Sequence, residues 1–451
     1  MVSSDKLTRS VNWFVSGFLV TLLISSTLMI GSNRPVFWML NATLVLGVTS
    51  AFLFMTGIGV TKMRYPIERW QWIGVLGALY AIGLSAHLVI ALAWPGFGGI
   101  SSGDMALGLM RIATYGGVFF LTLQVATNVR RARKFAWAIF AAVVLISVYG
   151  LISYRVPELL LYDKDAYLKV LSGPFINRNS YATFLAMGCA LGTSLALRTN
   201  RDGGMGNKKS RMDIELILAR TAVFACVLIL FASVLATGSR MGTFVGVLAI
   251  LIPVALRIGQ SQGGGAGNQA IVGISIVIVV LLSFAVVSAL YGGLLFDRLG
   301  STGMAADVRW QLYENVWKVV LDRPLFGHGL DSFEFAFRQG HELPVSPDLR
   351  WQNAHNTYLE LWVELGLILG SIPPVICLVA LVRLFQRAAV NQYTGYLAQA
   401  GVAVIVVGAV HSLVDFSLEM EANVFLFVML VALGLAPNDA KIEAKIEGSR
   451  S

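Results

Sequence analysis

Residues Arg350 to Gly370 read RWQNAHNTYLELWVELGLILG, and they decide the fold. A long polar loop turns here into an apolar helix, and a histidine, His355, stands at the point of entry. Upstream, from Phe296 to Ala354, lies the one extended stretch with the mixed composition of a water-exposed segment. Downstream the chain stays apolar for roughly 28 residues, enough to cross a bilayer with some tilt.

Working outward, apolar runs of spanning length fall at about 11–31, 36–58, 70–94, 104–127, 135–153, 179–197, 214–236, 241–257, 269–295, 355–383, 395–418 and 422–437. They predict an all-α polytopic membrane protein with about 12 transmembrane helices and one large periplasmic loop between the ninth and the tenth. The expected divisions are transmembrane helices over 1–295, a periplasmic loop with amphipathic helices over 296–354, three further spanning helices over 355–437 and a cytoplasmic tail over 438–451.

Composition agrees with this reading. The 451 residues are 56% hydrophobic and 13% charged, whereas a soluble chain carries about 25% charged residues. Mean hydropathy is +0.72. The formal charge of +9 does not point to nucleic acid, because the basic residues sit in short clusters between apolar runs, which is a topogenic pattern. Clusters such as Lys62, Arg64 and Arg69, or Arg130, Arg131, Arg133 and Lys134, alternate with poorly basic loops, and half of the opposing basic residues lie in the single long loop. Both termini are therefore expected in the cytoplasm. Cys189, Cys226 and Cys377 all lie in apolar runs and spell neither a disulfide framework nor a metal site. The run from Gly259 to Gln269, GQSQGGGAGNQ, lacks the Lys-Ser/Thr ending of a phosphate loop and reads as a flexible linker. Pro373 and Pro374 are expected to kink the helix over 355–383.

With this topology the ionisable residues in or beside the apolar runs gather at one membrane face. Such residues are expensive there and mark function. Arg111 lies about two turns into its helix, after Asp104. Arg178 and Asn179 open the helix over 179–197, Arg240 sits on the glycine-flanked corner TGSRMG, and Arg309 lies in the long loop. His411 and Asp415, four apart, are expected on one helical face. Each group also has a structural reading. Arg111 could pair with Asp104 or a neighbouring helix, Asn353 could cap the helix after His355, and His411 with Asp415 could tie two helices together. Recessed guanidinium groups nevertheless suit an anion at headgroup depth, since their fork matches phosphate oxygens. A diphosphate neutralised by arginines without a divalent cation follows, with no metal and no cofactor. A histidine at the loop–helix junction suits orientation or deprotonation of a hydroxyl, its ordinary pKa being about 6.5. Trp310, Tyr313, Trp317 and Trp351 fit either sugar docking or an interfacial aromatic belt.

These residues carry a resemblance. The segments GPFINRNSYATFLAMG, LATGSRMGTFVG, RWQLYENVWKVVLDRPLFGHGLDSF, HNTYLELWVELGLILG and HSLVDFSLEMEANVF, in that order over about Gly173 to Gly434, resemble the O-antigen ligase and O-antigen polymerase family. These are bacterial inner-membrane glycosyltransferases of the GT-C type. The resemblance implies a metal-independent, inverting transfer of a glycan from undecaprenyl diphosphate to an acceptor hydroxyl at the periplasmic face. Ligases use lipid A-core as acceptor, and polymerases use another lipid-linked repeat. Carried over by motif, Arg240 and Arg309 bind the donor diphosphate and His355 positions or activates the acceptor. Arg178, Asn179, Arg111, His411 and Asp415 are added as substrate-binding candidates by depth and chemistry. The ligase reaction is the first expectation and an O-antigen or exopolysaccharide polymerase the second. A transporter of lipid-linked glycans or small molecules is the alternative of another class, disfavoured because its charges would lie at the midplane of repeated, broken helices.

Overall fold

The computed structural model describes residues 4–93, 101–160, 170–198, 209–259, 302–343, 345, 350–390 and 395–436. The expected span over 269–295, nearly all of the glycine-rich linker and the tail over 438–451 lie outside the described residues. What is described is all-helical, with no strand. The helices are α1 (Ser4–Leu28), α2 (Pro35–Gly57), α3 (Trp72–Ala93), α4 (Ser102–Ala126), α5 (Val129–Arg155), α6 (Arg178–Ala196), α7 (Lys209–Ala236) and α8 (Arg240–Gly259). They are followed by α9 (Thr302–Asp322), α10 (Phe333–Gly340), α11 (Thr357–Leu369), α12 (Ile372–Val390), α13 (Gly395–His411) and α14 (Glu421–Leu435).

Eight of these helices, α1 to α5, α7, α8 and α12, are long and apolar enough to cross a membrane. The protein is a multi-pass membrane protein. Large apolar side chains such as Phe54, Trp72 and Ile82 stand exposed on its flanks, an arrangement that suits hydrocarbon and not water. The centre is α6, buried from Ser180 to Ala196 and packed against α7, α8 and α13, with α14 closing against α13 and α4. Shielded from lipid by its neighbours, α6 does not need the apolarity of a peripheral span, and its small residues let those neighbours approach.

Two expectations are corrected. The apolar stretch over 355–383 is not one kinked helix but two. The break falls at Gly366, whose φ of 73° and ψ of 171° leave the helical region. Backbone groups freed by the break find partners on the segment ahead of α10: the amides of His328 and Gly329 donate to the carbonyls of Val363 and Glu364, both at 2.8 Å, and the Leu367 amide donates to Pro324 at 2.8 Å. Gly327 and Gly366, both at positive φ, lie backbone to backbone, and a Cβ on either would collide with a main-chain carbonyl opposite. Pro373 and Pro374 then sit in the first turn of α12, where a proline lacks no needed donor. The stretch over 395–418 likewise ends its helix at His411, so Asp415 lies in the turn beyond α13 and does not share a helical face with His411.

A small second core forms outside the bundle. Leu312, Val316 and Val320 on one face of α9 pack with Phe333, Phe337, Ala354 and Val363. It seats α9, α10 and the start of α11 as one unit over the ends of α13 and α14.

Candidate functional site

The chain enters α11 through a strained residue. His355 adopts φ of 52°, a left-handed conformation rare outside glycine, and such strain persists only where its surroundings impose it. The Tyr313 hydroxyl of α9 donates to the His355 carbonyl at 2.9 Å. Asn356 caps α11, accepting from the amides of Tyr358 and Leu359, and its Nδ2 donates to the Leu413 carbonyl at 3.0 Å. The Thr357 amide donates to the Ser412 carbonyl at 3.0 Å. The start of α11 is thus stitched to the end of α13. Asn356, and not Asn353, is the cap; Asn353 donates instead to Glu360 at 2.9 Å.

This stitching brings two histidines to one carboxylate. His355 Nδ1 lies 3.7 Å from Asp415 Oδ1, and His411 Nδ1 lies 3.7 Å from Asp415 Oδ2. Ser417 donates to Asp415 Oδ2 at 2.7 Å. Asp415 is 1% exposed, while the His355 side chain keeps 34%. Burial opposes the Asp415 charge, but the His355 and His411 imidazoles and the Ser417 hydroxyl outweigh it and hold the carboxyl below its usual range. The Phe416 ring meets His355 edge-on, with centroids 4.9 Å apart. Arg309 stands close enough for its charge to act on Tyr313 and His411. Arg309, Tyr313, His355, His411 and Asp415 therefore form one neighbourhood.

The other expected residues are placed as follows. Arg240 is the exposed first residue of α8. Ser239 ahead of it accepts the Gly242 amide at 3.1 Å. Arg178 and Asn179 are half-buried at the start of α6, where Asn177 caps the helix by accepting the Asn179 amide at 2.8 Å. Both starts share one end of the bundle with the His355 corner, for Gly242 abuts Ala182 and Asn423 at the start of α14 donates to the Ser180 carbonyl at 3.0 Å. Arg111 pairs across to other elements, with Asp331 at 2.6 Å and Glu419 at 3.4 Å, and not with Asp104, and it belongs to a neighbouring acidic chamber. Burial raises the Asp331 carboxyl even beside Arg111, and burial raises Glu419 in the same way.

Neither Tyr313 as a positioning group nor the acidic chamber was among the residues expected from the sequence. Glu360 and Glu364, one turn apart on an otherwise apolar helix, were the readable signal. Alongside the corner, Trp310, Trp317, Tyr358, Trp362 and Leu413 line an open, mainly apolar groove of about 680 Å³. Among the described residues no group of three His, Cys, Asp or Glu side chains is placed to share a metal ion.

Residues 225–373 match the family model for O-antigen ligase, Wzy_C. That stretch resembles the O-antigen ligase family. It covers about a third of the chain, contains Arg240, Arg309 and His355, and stops before His411 and Asp415. Over that stretch the chain is similar to O-antigen ligases. No curated protein matches the chain.

Proposed function

We propose that the protein transfers a glycan from undecaprenyl diphosphate to an acceptor hydroxyl at the periplasmic face of the bacterial inner membrane, as an O-antigen ligase with lipid A-core as acceptor. The observation that carries this reading is the apposition of His355 to the buried Asp415, beside Arg309. With Nδ1 turned to Asp415, His355 offers Nε2 to the acceptor and takes the hydroxyl proton as general base. The acceptor oxygen bonds to the anomeric carbon while the bond from that carbon to the diphosphate oxygen breaks. The lipid diphosphate leaves with the electron pair, and attack from the opposite side inverts the anomeric centre. Asp415 fixes the ring and stabilises the imidazolium, as the third member of a nucleophile–base–carboxylate series does.

Arg309 and Arg240 neutralise the diphosphate as its charge develops, which arginines can do without a metal. Arg178 and Asn179 flank the same end of the bundle as donor contacts, and His411 shares Asp415 with His355. The aromatic groove of α9 and α11 receives the apolar end of the lipid-linked donor. Both termini are cytoplasmic, in keeping with the basic loops.

The test is transfer by purified protein, with an undecaprenyl-linked glycan as donor and lipid A-core or a second lipid-linked glycan offered separately as acceptor. Product with lipid A-core supports the ligase. Product only with the second glycan makes the protein a polymerase, and no product with either rejects the reading.

A further inference from the structure

A second polar chamber adjoins the His355 corner, and the transfer step does not use it. Arg111, Asp331, Glu360, Glu364, Glu419 and Glu421 wall it, with Trp38 at its rim, and its volume is about 200 Å³. Six carboxyl groups line it around a single guanidinium, and Glu334 at the edge turns to Arg350. Two of them, Asp331 and Glu419, take Arg111. Glu360 accepts from Asn353 Nδ2 and from the Ala354 amide, both at 2.9 Å, and Glu364 accepts from the Phe333 amide at 3.2 Å.

Glu421 differs from these four. Its Oε2 accepts from Asn41 at 2.6 Å, but its Oε1 is buried with no hydrogen-bond partner, in a residue only 1% exposed. A buried acceptor without a donor costs free energy until a donor reaches it. One acceptor in the wall of the chamber therefore lacks a donor.

That requirement selects the ligand. An anion is repelled by the surplus of carboxyl groups. A metal ion needs converging ligands, and no three acidic side chains among the described residues converge in that way. A sugar ring carries several hydroxyl donors around an apolar edge. Its hydroxyls can donate to Glu421, Glu364 and Glu360, while Arg111, itself 5.7 Å from the Trp38 ring, donates to a ring or hydroxyl oxygen. The volume is below the roughly 300–1,000 Å³ of pockets for drug-sized ligands and suits one polar ring.

We propose that this chamber is a subsite for one uncharged sugar ring, recognised through its hydroxyl groups by Glu421 and the neighbouring acids. Its wall residue Asn353 lies two positions before His355, and Glu419 lies four positions after Asp415. The ring it holds is adjacent to the one that reacts, and this assignment of the ring to the glycan rests on the transferase reading above. The subsite fixes the register of the glycan against His355.

The experiment is saturation-transfer NMR on the purified full chain in lipid nanodiscs, with free glucose and free N-acetylglucosamine as probes. Transfer to ring protons of at least one sugar is expected, roughly tenfold weaker in Glu421→Leu. Glu421→Gln, which keeps the shape and one acceptor oxygen, is expected to bind at an intermediate level and decides the matter if the leucine variant does not fold. The proposal is overturned if neither sugar receives saturation, if folded Glu421 variants bind as the parent does, or if calcium chloride protects the parent and not Glu421→Gln against heating, which would make this a cation site. His355→Ala and Arg309→Ala should leave sugar binding unchanged. If those two variants also retain full transfer, the transferase reading fails while the sugar site stands, so the two failures are distinguishable.

Discussion

The His355 corner and the Arg111 chamber are neighbours built from the same two stretches of chain, yet their polar groups differ in kind. Residues 353–364 supply His355 to one and Glu360 and Glu364 to the other, while residues 411–421 supply His411 and Asp415 to one and Glu419 and Glu421 to the other. In the corner one buried carboxylate serves two imidazoles, with Arg309 nearby. In the chamber six carboxyls line one cavity, and Arg111 pairs with two of them. On the proposed reading the first takes the leaving diphosphate and the base, and the second takes the hydroxyl donors of a sugar. A few residues of backbone separate them, so the chain can hold an anionic group and a neutral glycan side by side without mixing their contacts.

The sharpest way to break this contrast is at the corner itself. His355→Ala should lower turnover by about 10²–10⁴-fold, the usual contribution of a general base, read in the purified transfer assay. A variant with parental turnover from pH 6 to 8 would remove His355 from the chemistry. Next in size, Arg309→Ala and Arg240→Ala should each cost about 10²–10³-fold in turnover. The lysine variants should recover only part of that, because a point charge lacks the bidentate fork. Parental activity in either alanine variant, with normal membrane insertion, would reject that residue's role at the diphosphate.

Gly366→Ala tests the frame that holds both regions. It forces a side chain against the Leu325 carbonyl at a positive φ and should cost roughly 1–3 kcal/mol, seen as a lower thermal midpoint in detergent. An unchanged midpoint would mean that the break in the apolar stretch is not needed.

The smallest effect separates the regions by pH. The Asp415 carboxyl is held low by its histidines, so its ionised form stabilises the fold above the ordinary carboxylate pKa of about 4, and this is lost as pH falls through the folded value. Asp331 and Glu419 are raised. They favour the fold most when protonated, and that contribution fades as pH rises through their folded values. Asp415→Asn should therefore lower the midpoint more at pH 7 than at about pH 2, well below the ordinary carboxylate value, whereas Glu419→Gln should be neutral or stabilising at pH 7. Equal pH dependence in the two variants would erase the distinction.

Much of the bundle was legible because hydropathy is a local property. Each of α1 to α5, α7, α8 and α12 carries its own apolar run, and a bilayer acts on every run independently. Arg240 and His355 were legible as polar groups at the ends of such runs, and Arg309 as a charge in the long loop. The acidic chamber was not. Arg111 meets Asp331, 220 positions away, and Glu419, 308 positions away, and no local pattern encodes pairing over that distance. Asp415 was seen but given the wrong geometry, since the end of α13 depends on capping by the distant Asn356.

The sequence alone determined that this chain is a helical membrane protein, and which of its polar residues lie near one face, because burial of apolar residues in lipid needs no partner. Only the tertiary structure decided where the apolar stretch after His355 breaks, since Gly366 can leave the helix only when the segment over 324–329 supplies hydrogen bonds to its backbone. It alone also decided that Arg111 belongs with the acids and His355 with Asp415, because an ion pair exists only between groups that packing has already brought together.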